Sequence, residues 1–382
     1  MKWMIEKDAL DPVQERIIED VINDEFSNHW ISGYAGTGKT IVLTHIIELL
    51  INKHPKMSFC FLTYTHALKD LVGTGLSKKA RDKINIQTAD SFNKSSQEYD
   101  FIFIDEIQDL KKDKIDLIVF KCNHLIVAGD PDQSIYPGRV KESELLKILG
   151  NAKLHVLKDM QRLTQRLFQI AQIIQPEAKF SSNATVNSEG VNAQEIIGKN
   201  FDDECVQIYD LAIKFSKLED PCAILLPKHD QVYAFAKAIS ISKINGIPPI
   251  PQKVLGLNDY DSFNNYFMKN KIPLRFLGSN NGSLPESDET KIIYLMTYHS
   301  AKGLDFSNVF LPNITDQYYL DAKPKSLSNE FGERRLFFVA VTRCKQNLYF
   351  GRHGKRHWLL DTIPDERIDS YQPPRRVLGA KR

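Results

Sequence analysis

The stretch Trp30-Ile31-Ser32-Gly33-Tyr34-Ala35-Gly36-Thr37-Gly38-Lys39-Thr40 decides the fold. Gly33 to Thr40 have the spacing Gly-x-x-x-x-Gly-Lys-Thr, a short strand precedes them, and Ile41 to Leu50 continue as an apolar helix. Each position has a physical task. Gly33, Ala35, Gly36, Thr37 and Gly38 let backbone amides turn inward around phosphates, and the helix start adds partial positive charge. Lys39 is placed to neutralise the β and γ phosphates, and Thr40 to hold Mg²⁺. A chance glycine-rich turn is the bland alternative, and the flanking strand and helix count against it. ATP with Mg²⁺ is the expected cofactor pair.

Phe101-Ile102-Phe103-Ile104 end in Asp105-Glu106, as a buried strand delivers carboxylates to the phosphate end of a sheet. Asp105 suits the Mg²⁺ shell and Glu106 suits polarising an attacking water. Two acids after a strand, taken alone, read as helix-start residues; with a phosphate loop upstream, catalysis is favoured. Leu10-Asp11-Pro12-Val13-Gln14 lie one helix before the loop strand. The amide of Gln14 can donate and accept against an adenine edge, although the same residues also read as a Pro-initiated helix start.

Apolar runs recur at Phe59 to Thr63, Phe101 to Ile104, Leu125 to Ala128, Ala223 to Leu226 and Lys291 to Met296, each followed by turn or helix signals. This rhythm predicts an α/β fold with parallel sheets and function at the carboxyl ends of the strands. The 382 residues exceed one ordinary core, so two domains are expected. Residues 1–150 form the ATP-binding unit and 151–365 the second, the latter starting with a helical pattern from Thr164 to Ile174. Residues 366–382, basic and Pro-containing from Gln372 on, are expected as a flexible tail. Gly278 to Glu289 read as a surface loop.

Lys and Arg number 50 against 48 Asp and Glu, a net charge of +2, so a nucleic-acid surface must be local. Cys60, Cys122, Cys205, Cys222 and Cys344 have neither zinc-site nor disulfide spacing, which suits a reducing cytosol. Met1 to Leu10 lack the apolar run of a signal peptide, and no stretch has the length of a membrane span, so a soluble cytoplasmic protein is expected.

The order of motifs from roughly Leu10 to Phe350 resembles the UvrD, Rep and PcrA group of superfamily 1A helicases. Asp105-Glu106-Ile107-Gln108-Asp109 looks like the Asp-Glu-x-Gln-Asp box, and Gly129 to Tyr136 look like the third motif. Thr297 to Phe306 look like motif V and Glu333 to Arg343 like motif VI. The resemblance implies two RecA-like P-loop domains with an ATP cleft between them. It assigns Gln133 to sensing the γ-phosphate, Gly303 and Asp305 to the nucleotide, and Arg343 to a finger reaching across the cleft. Such a finger can contribute about 10³ to 10⁵ in rate. Leu157 to Thr164 keep part of motif IV, with Arg162 as a second finger. Without the motifs these arginines read as solvated helix charges.

Leu62 to Ala67 resemble motif Ia, and Gln87-Thr88-Ala89-Asp90-Ser91-Phe92 resemble a Thr-x-His-Ser-Phe motif in which Asp90 replaces the histidine. Tyr64 and Tyr136 are candidate base platforms, Thr65 and Thr88 candidate hydroxyl contacts, and His299 a candidate backbone contact. A stacked base contributes about 1 to 3 kcal/mol, and an isolated Tyr also reads as a core ring. Gly138 stands where the family has a stacking Trp. Only Asn93 to Asp100 occupy the place of the family's 1B subdomain, and only about Ile239 to Glu289 that of 2B. These features predict an ATP-dependent single-strand translocase or helicase, of 3′ to 5′ polarity by resemblance. Its expected partners are single-stranded nucleic acid, DNA favoured over RNA, and a protein supplying nuclease or accessory function. A partner-controlled regulatory ATPase of a repair or defence complex is the alternative; motifs V and VI argue against a small-molecule kinase.

Overall fold

Strand runs such as Phe101 to Ile104, every residue of which is 0% exposed, need cover on both faces. The computed structural model provides it with two wholly parallel sheets flanked by helices. It describes residues 4–34, 36–63, 66–92, 97–130, 140, 142–150, 152–158, 163–176, 188–254, 257–278, 291–316 and 327–371. In the first sheet β1 (His29–Gly33), β2 (Phe59–Thr63), β3 (Ile84–Thr88), β4 (Tyr99–Ile104), β5 (Cys122–Ala128) and β6 (Lys153–Leu157) lie in the order β3-β2-β4-β5-β1-β6. β7 (Ala193–Ile197) and β8 (Cys222–Leu226) belong to the second sheet, and β9 (Gln252–Val254) with β10 (Leu257–Asp259) form a separate antiparallel hairpin. β11 (Leu274–Phe276), β12 (Ile293–Thr297), β13 (Phe306–Leu311), β14 (Cys344–Arg352) and β15 (Ile368–Ser370) complete the second sheet, ordered β11-β12-β8-β13-β14-β7-β15.

Two expected boundaries move. β6 pairs with β1 from His29↔Lys153 to Gly33↔Leu157, so the first sheet runs past residue 150. Gly150, at φ 51°, makes the turn into this edge strand instead of ending a domain. β15 pairs with β7, Ile368 is buried, and the Tyr371 amide donates to the Glu195 carbonyl. Residues 366–371 are therefore part of the second sheet's edge rather than a flexible tail, and 372–382 lie outside the described residues.

The expected helix after β6 forms as Gln165–Ile174, with the Thr164 hydroxyl accepting from the Leu167 amide as its N-cap. It packs against the helix Leu327–Val341 and against β14, so it belongs to the second unit. One apolar cluster includes Ile31 and Phe103 of the first sheet and Met296, Phe306 and Phe350 of the second, so the two units share an apolar seam. Separate clusters around Ile102 and Ile224 cover the other faces. The described part of the stretch in the place of the 2B subdomain holds the end of a helix, the β9–β10 hairpin, the helix Asp261–Lys269 and β11, while residues 279–289 of the expected surface loop lie outside the described residues. Among the described residues no helix is long and apolar enough to cross a membrane.

Candidate nucleotide site

The carboxyl ends of β1, β4 and β5 are brought level by their register, Ile31↔Ala128 and Ile104↔Val127. The phosphate loop, Asp105-Glu106 and Gly129-Asp130 consequently meet along one sheet edge. Gly36 and Gly38 adopt φ of 82° and 86°, a left-handed region that side chains disfavour. A β-carbon on Gly33 would lie 2.8 Å from the Leu157 carbonyl, so β6 itself fixes this position as glycine. The helix Lys39–Lys53 starts directly at the loop and points its amino end there. Ala35 lies outside the described residues.

Lys39 is 8% exposed, and its ammonium donates to the carbonyls of Gly33 at 2.6 Å and Tyr34 at 2.9 Å. The Thr37 hydroxyl donates to the Tyr34 carbonyl at 3.0 Å, closing the loop on itself. The Thr40 hydroxyl donates to Asp105 Oδ2 at 2.6 Å. Burial and then the charge of Glu106 push the Asp105 carboxyl well above its usual range, with Thr40 and Lys39 opposing. A half-buried hydroxyl and a buried carboxylate short of positive charge form a hard-oxygen pair suited to Mg²⁺.

Gln14 is also bonded within the protein itself. It is 2% exposed; Oε1 accepts from the Asp11 amide at 3.2 Å, and Nε2 donates to the Thr37 carbonyl at 3.1 Å. The Asp11 carboxylate in turn accepts from the amides of Val13 and Gln14, forming a capping box. The amide thus ties the start of the helix Pro12–Asn23 to the phosphate loop.

Glu106 sits at φ 57°, an uncommon conformation for a side-chain-bearing residue, and such backbone tends to collect at functional sites. Burial alone would raise its carboxyl, yet the charges of Lys302, Lys39 and Arg343 outweigh burial and hold it below the usual glutamate range. Gln108, fully buried, donates from Nε2 to Glu106 Oε2 at 2.5 Å and accepts the Asp130 amide on Oε1 at 3.0 Å. Two of the three cations come from the second sheet.

Lys302 lies on the turn after β12, 4% exposed, with Nζ 2.6 Å from Asp109 Oδ2 and 3.9 Å from Glu106 Oε2. Arg343, 3% exposed, donates to the carbonyls of Val339 at 3.0 Å and Leu304 at 3.2 Å and to the Thr342 hydroxyl at 3.1 Å. These bonds hold the guanidinium to its own unit while its charge is felt at Glu106. Gly303, at φ 84°, lets the turn lie against Leu68 of the first unit. Asp305 is half-buried, 4.0 Å from Lys345 Nζ. Gln108, Asp109 and Lys302 all stand inside motifs visible in the sequence, but no sequence signal says which charge meets which across the cleft.

The strand-facing assignments are less completely placed. Thr88 ends β3, buried, its hydroxyl 2.9 Å from that of Ser91. Asp90 forms an ion pair with Lys114, so the acid at the histidine position is neutralised locally. His299 is half-buried, and burial followed by the charges of Lys302 and His229 holds its imidazole below the usual range. Tyr64, Thr65, Gln133, Tyr136 and Arg162 lie outside the described residues.

Residues 41–355 match the family described as UvrD-like helicase C-terminal domain. A Mycoplasma pneumoniae protein named "Probable DNA helicase" is 24% identical over 287 residues, covering 73% of this chain and 46% of that protein. The ATP-dependent DNA helicase PcrA of Staphylococcus epidermidis is 30% identical over 107 residues, covering 24% of this chain and 15% of the relative. The chain spans less than half the length of each of the first relatives it matches. The structure of a PRRSV helicase aligns over 88% of this chain and 54% of that one, with TM-score 0.44 and 14% identity.

Proposed function

This chain belongs to the UvrD-like helicase C-terminal domain family, and on that premise we propose that it is an ATP-driven single-strand nucleic-acid translocase or helicase, hydrolysing ATP to ADP and phosphate. The observation that carries the proposal is the composition of the site: the carboxylate that would polarise water, Glu106, belongs to the first sheet, while Lys302 and Arg343 that hold its charge belong to the second. Hydrolysis in such a site depends on closure, and a site that opens and closes with each ATP can move one unit against the other.

In this reading ATP draws the Lys39 ammonium off the Gly33 and Tyr34 carbonyls, where it now rests, onto the β and γ phosphates. Thr40 and Asp105 would hold Mg²⁺, which supplies charge neutralisation at the phosphates when bound. Glu106, ionised, accepts a proton from the attacking water, and Arg343 stabilises charge on the γ-phosphate. Gln14 keeps the loop in shape and retains one amide hydrogen for an adenine edge. His299 and Thr88 are proposed to face the strand. Single-stranded DNA is the proposed track, in keeping with the DNA helicases named above, with 3′ to 5′ polarity and a cytoplasmic setting; a protein partner would supply duplex-opening or nuclease parts.

Steady-state ATP hydrolysis with and without single-stranded DNA, single-stranded RNA and duplex tests this, with Glu106→Gln as background. Strong stimulation by single-stranded DNA is expected. Basal turnover that no nucleic acid stimulates would overturn the motor reading in favour of an ATPase governed by a protein partner.

A further inference from the structure

We infer that Lys302 is a positioning residue for hydrolysis: it latches the second sheet to the first through Asp109 and, from the same seat, holds Glu106. The inference rests on the ATP-hydrolysing reading of the site and adds to it the contact that makes closure and base placement one event.

The geometry on the first unit is a single tight turn. The Asp109 amide donates to the Glu106 carbonyl at 3.0 Å, and Gln108 between them grips both the Glu106 carboxylate and the Asp130 amide. A pull on Asp109 therefore moves Glu106. On the second unit the turn is equally tied. The Ser300 amide donates to Thr297 Oγ1 at 3.1 Å, the Ala301 amide to the Thr297 carbonyl at 3.0 Å, and the Lys302 amide to the His299 carbonyl at 3.3 Å. Gly303, against Leu68, fixes how deeply the turn enters the first unit. The long Lys302 side chain then spans the seam to a carboxylate that is itself 0% exposed.

Both charges of the pair are out of water, where removing one partner of a close ion pair is costly for the other. Because the two groups stand on different units, separating the units breaks the pair. The pair therefore favours closure only in the arrangement that also brings the ammonium to 3.9 Å from Glu106 Oε2. A merely structural ion pair within one unit would have no such dependence on the other.

The test is a double-mutant cycle in the full chain with Lys302→Met, Asp109→Asn and both together, each checked for cooperative melting. Dyes on Asp113→Cys and Lys237→Cys, both exposed, in a Cys122→Ser background report the distance between units as a non-hydrolysable ATP analogue binds. Both single variants should fail to close as far as the wild type. Their kcat should fall about 100-fold, as expected when a reacting group is misplaced by about an ångström. KM should change by less than about threefold. The double variant should lose no more than the worse single one, since both remove the same interaction. Losses that multiply in the double variant, or normal closure in Lys302→Met, overturn the latch. The distance readout works without turnover or a strand, so a wild type that closes but does not hydrolyse, or ignores nucleic acid, refutes the proposed function and leaves the latch decided by closure.

Discussion

Replacing Gly129 by alanine puts a methyl group where the backbone cannot make room. The Gly129 amide donates to the Ile31 carbonyl at 3.1 Å, and the Gly129 carbonyl accepts from Trp30 Nε1 at 3.3 Å, so the residue is held from two sides. The new β-carbon would collide with Gln108 Oε1 and lie 2.9 Å from Ile107 Cγ2 and 3.0 Å from the Ile107 amide nitrogen. Gln108 must swing away, releasing the Asp130 amide and Glu106 together. Overpacking costs about 1 to 3 kcal/mol, and an orphaned buried amide adds about 1 to 3. A total of roughly 2 to 6 kcal/mol corresponds to a melting temperature lower by about 4 to 24 °C for a unit of this size. Turnover should fall as well, because the Glu106 carboxylate loses the amide that orients it. Calorimetry of Gly129→Ala beside Gly332→Ala supplies the internal control. Gly332 is exposed on the helix Leu327–Val341 with open space around its β position. Alanine there should stabilise by about 0.5 to 1 kcal/mol. Unchanged melting and unchanged turnover in Gly129→Ala would refute the tight grip of Gln108 on Asp130.

Lys39→Ala should abolish turnover, while Arg343→Ala should bind a fluorescent ATP analogue normally and lose about 10³-fold or more in kcat; full turnover in Arg343→Ala would remove it from the mechanism. Burial holds the imidazoles of His29, His45, His155, His229 and His299 below their usual range. The unfolded chain then takes up protons near pH 6.5 that the folded chain refuses, so stability is full above that pH and is lost as pH falls below it. Denaturant midpoints at pH 7.5 and about 5.5 check the sign, and His29→Phe should weaken the dependence. Glu195 is 3% exposed and accepts from Arg356 Nε at 2.8 Å and Arg352 Nε at 2.8 Å. Burial opposes its ionisation, but the two guanidiniums outweigh it and lower its pKa. Glu195→Gln should therefore destabilise by about 1.5 to 3 kcal/mol at neutral pH. The difference from wild type should shrink as pH falls below about 4.3, and equal melting at pH 7 would show the network contributes nothing.

The sequence by itself determined the features that a few adjacent residues can specify. Gly36 and Gly38 are readable because only glycine enters their backbone region at low cost, and Lys39-Thr40 because a phosphate loop needs those groups at that spacing. Phe101 to Glu106 are readable because a strand buried on both faces must be apolar until it reaches the site. The edge strands β6 and β15 were not legible: Lys153 to Leu157 carry exposed Leu154 and Val156 beside charged neighbours, and Ile368–Ser370 is too short to show a period. Only the tertiary structure decided that Gln14 holds the phosphate loop, that Gln108 joins Glu106 to Asp130, and that Lys302 meets Asp109. The physical reason is one of distance along the chain. Backbone conformation is set by neighbours in sequence, whereas the partner of a buried charge is whichever opposite group the packing of two sheets brings within reach.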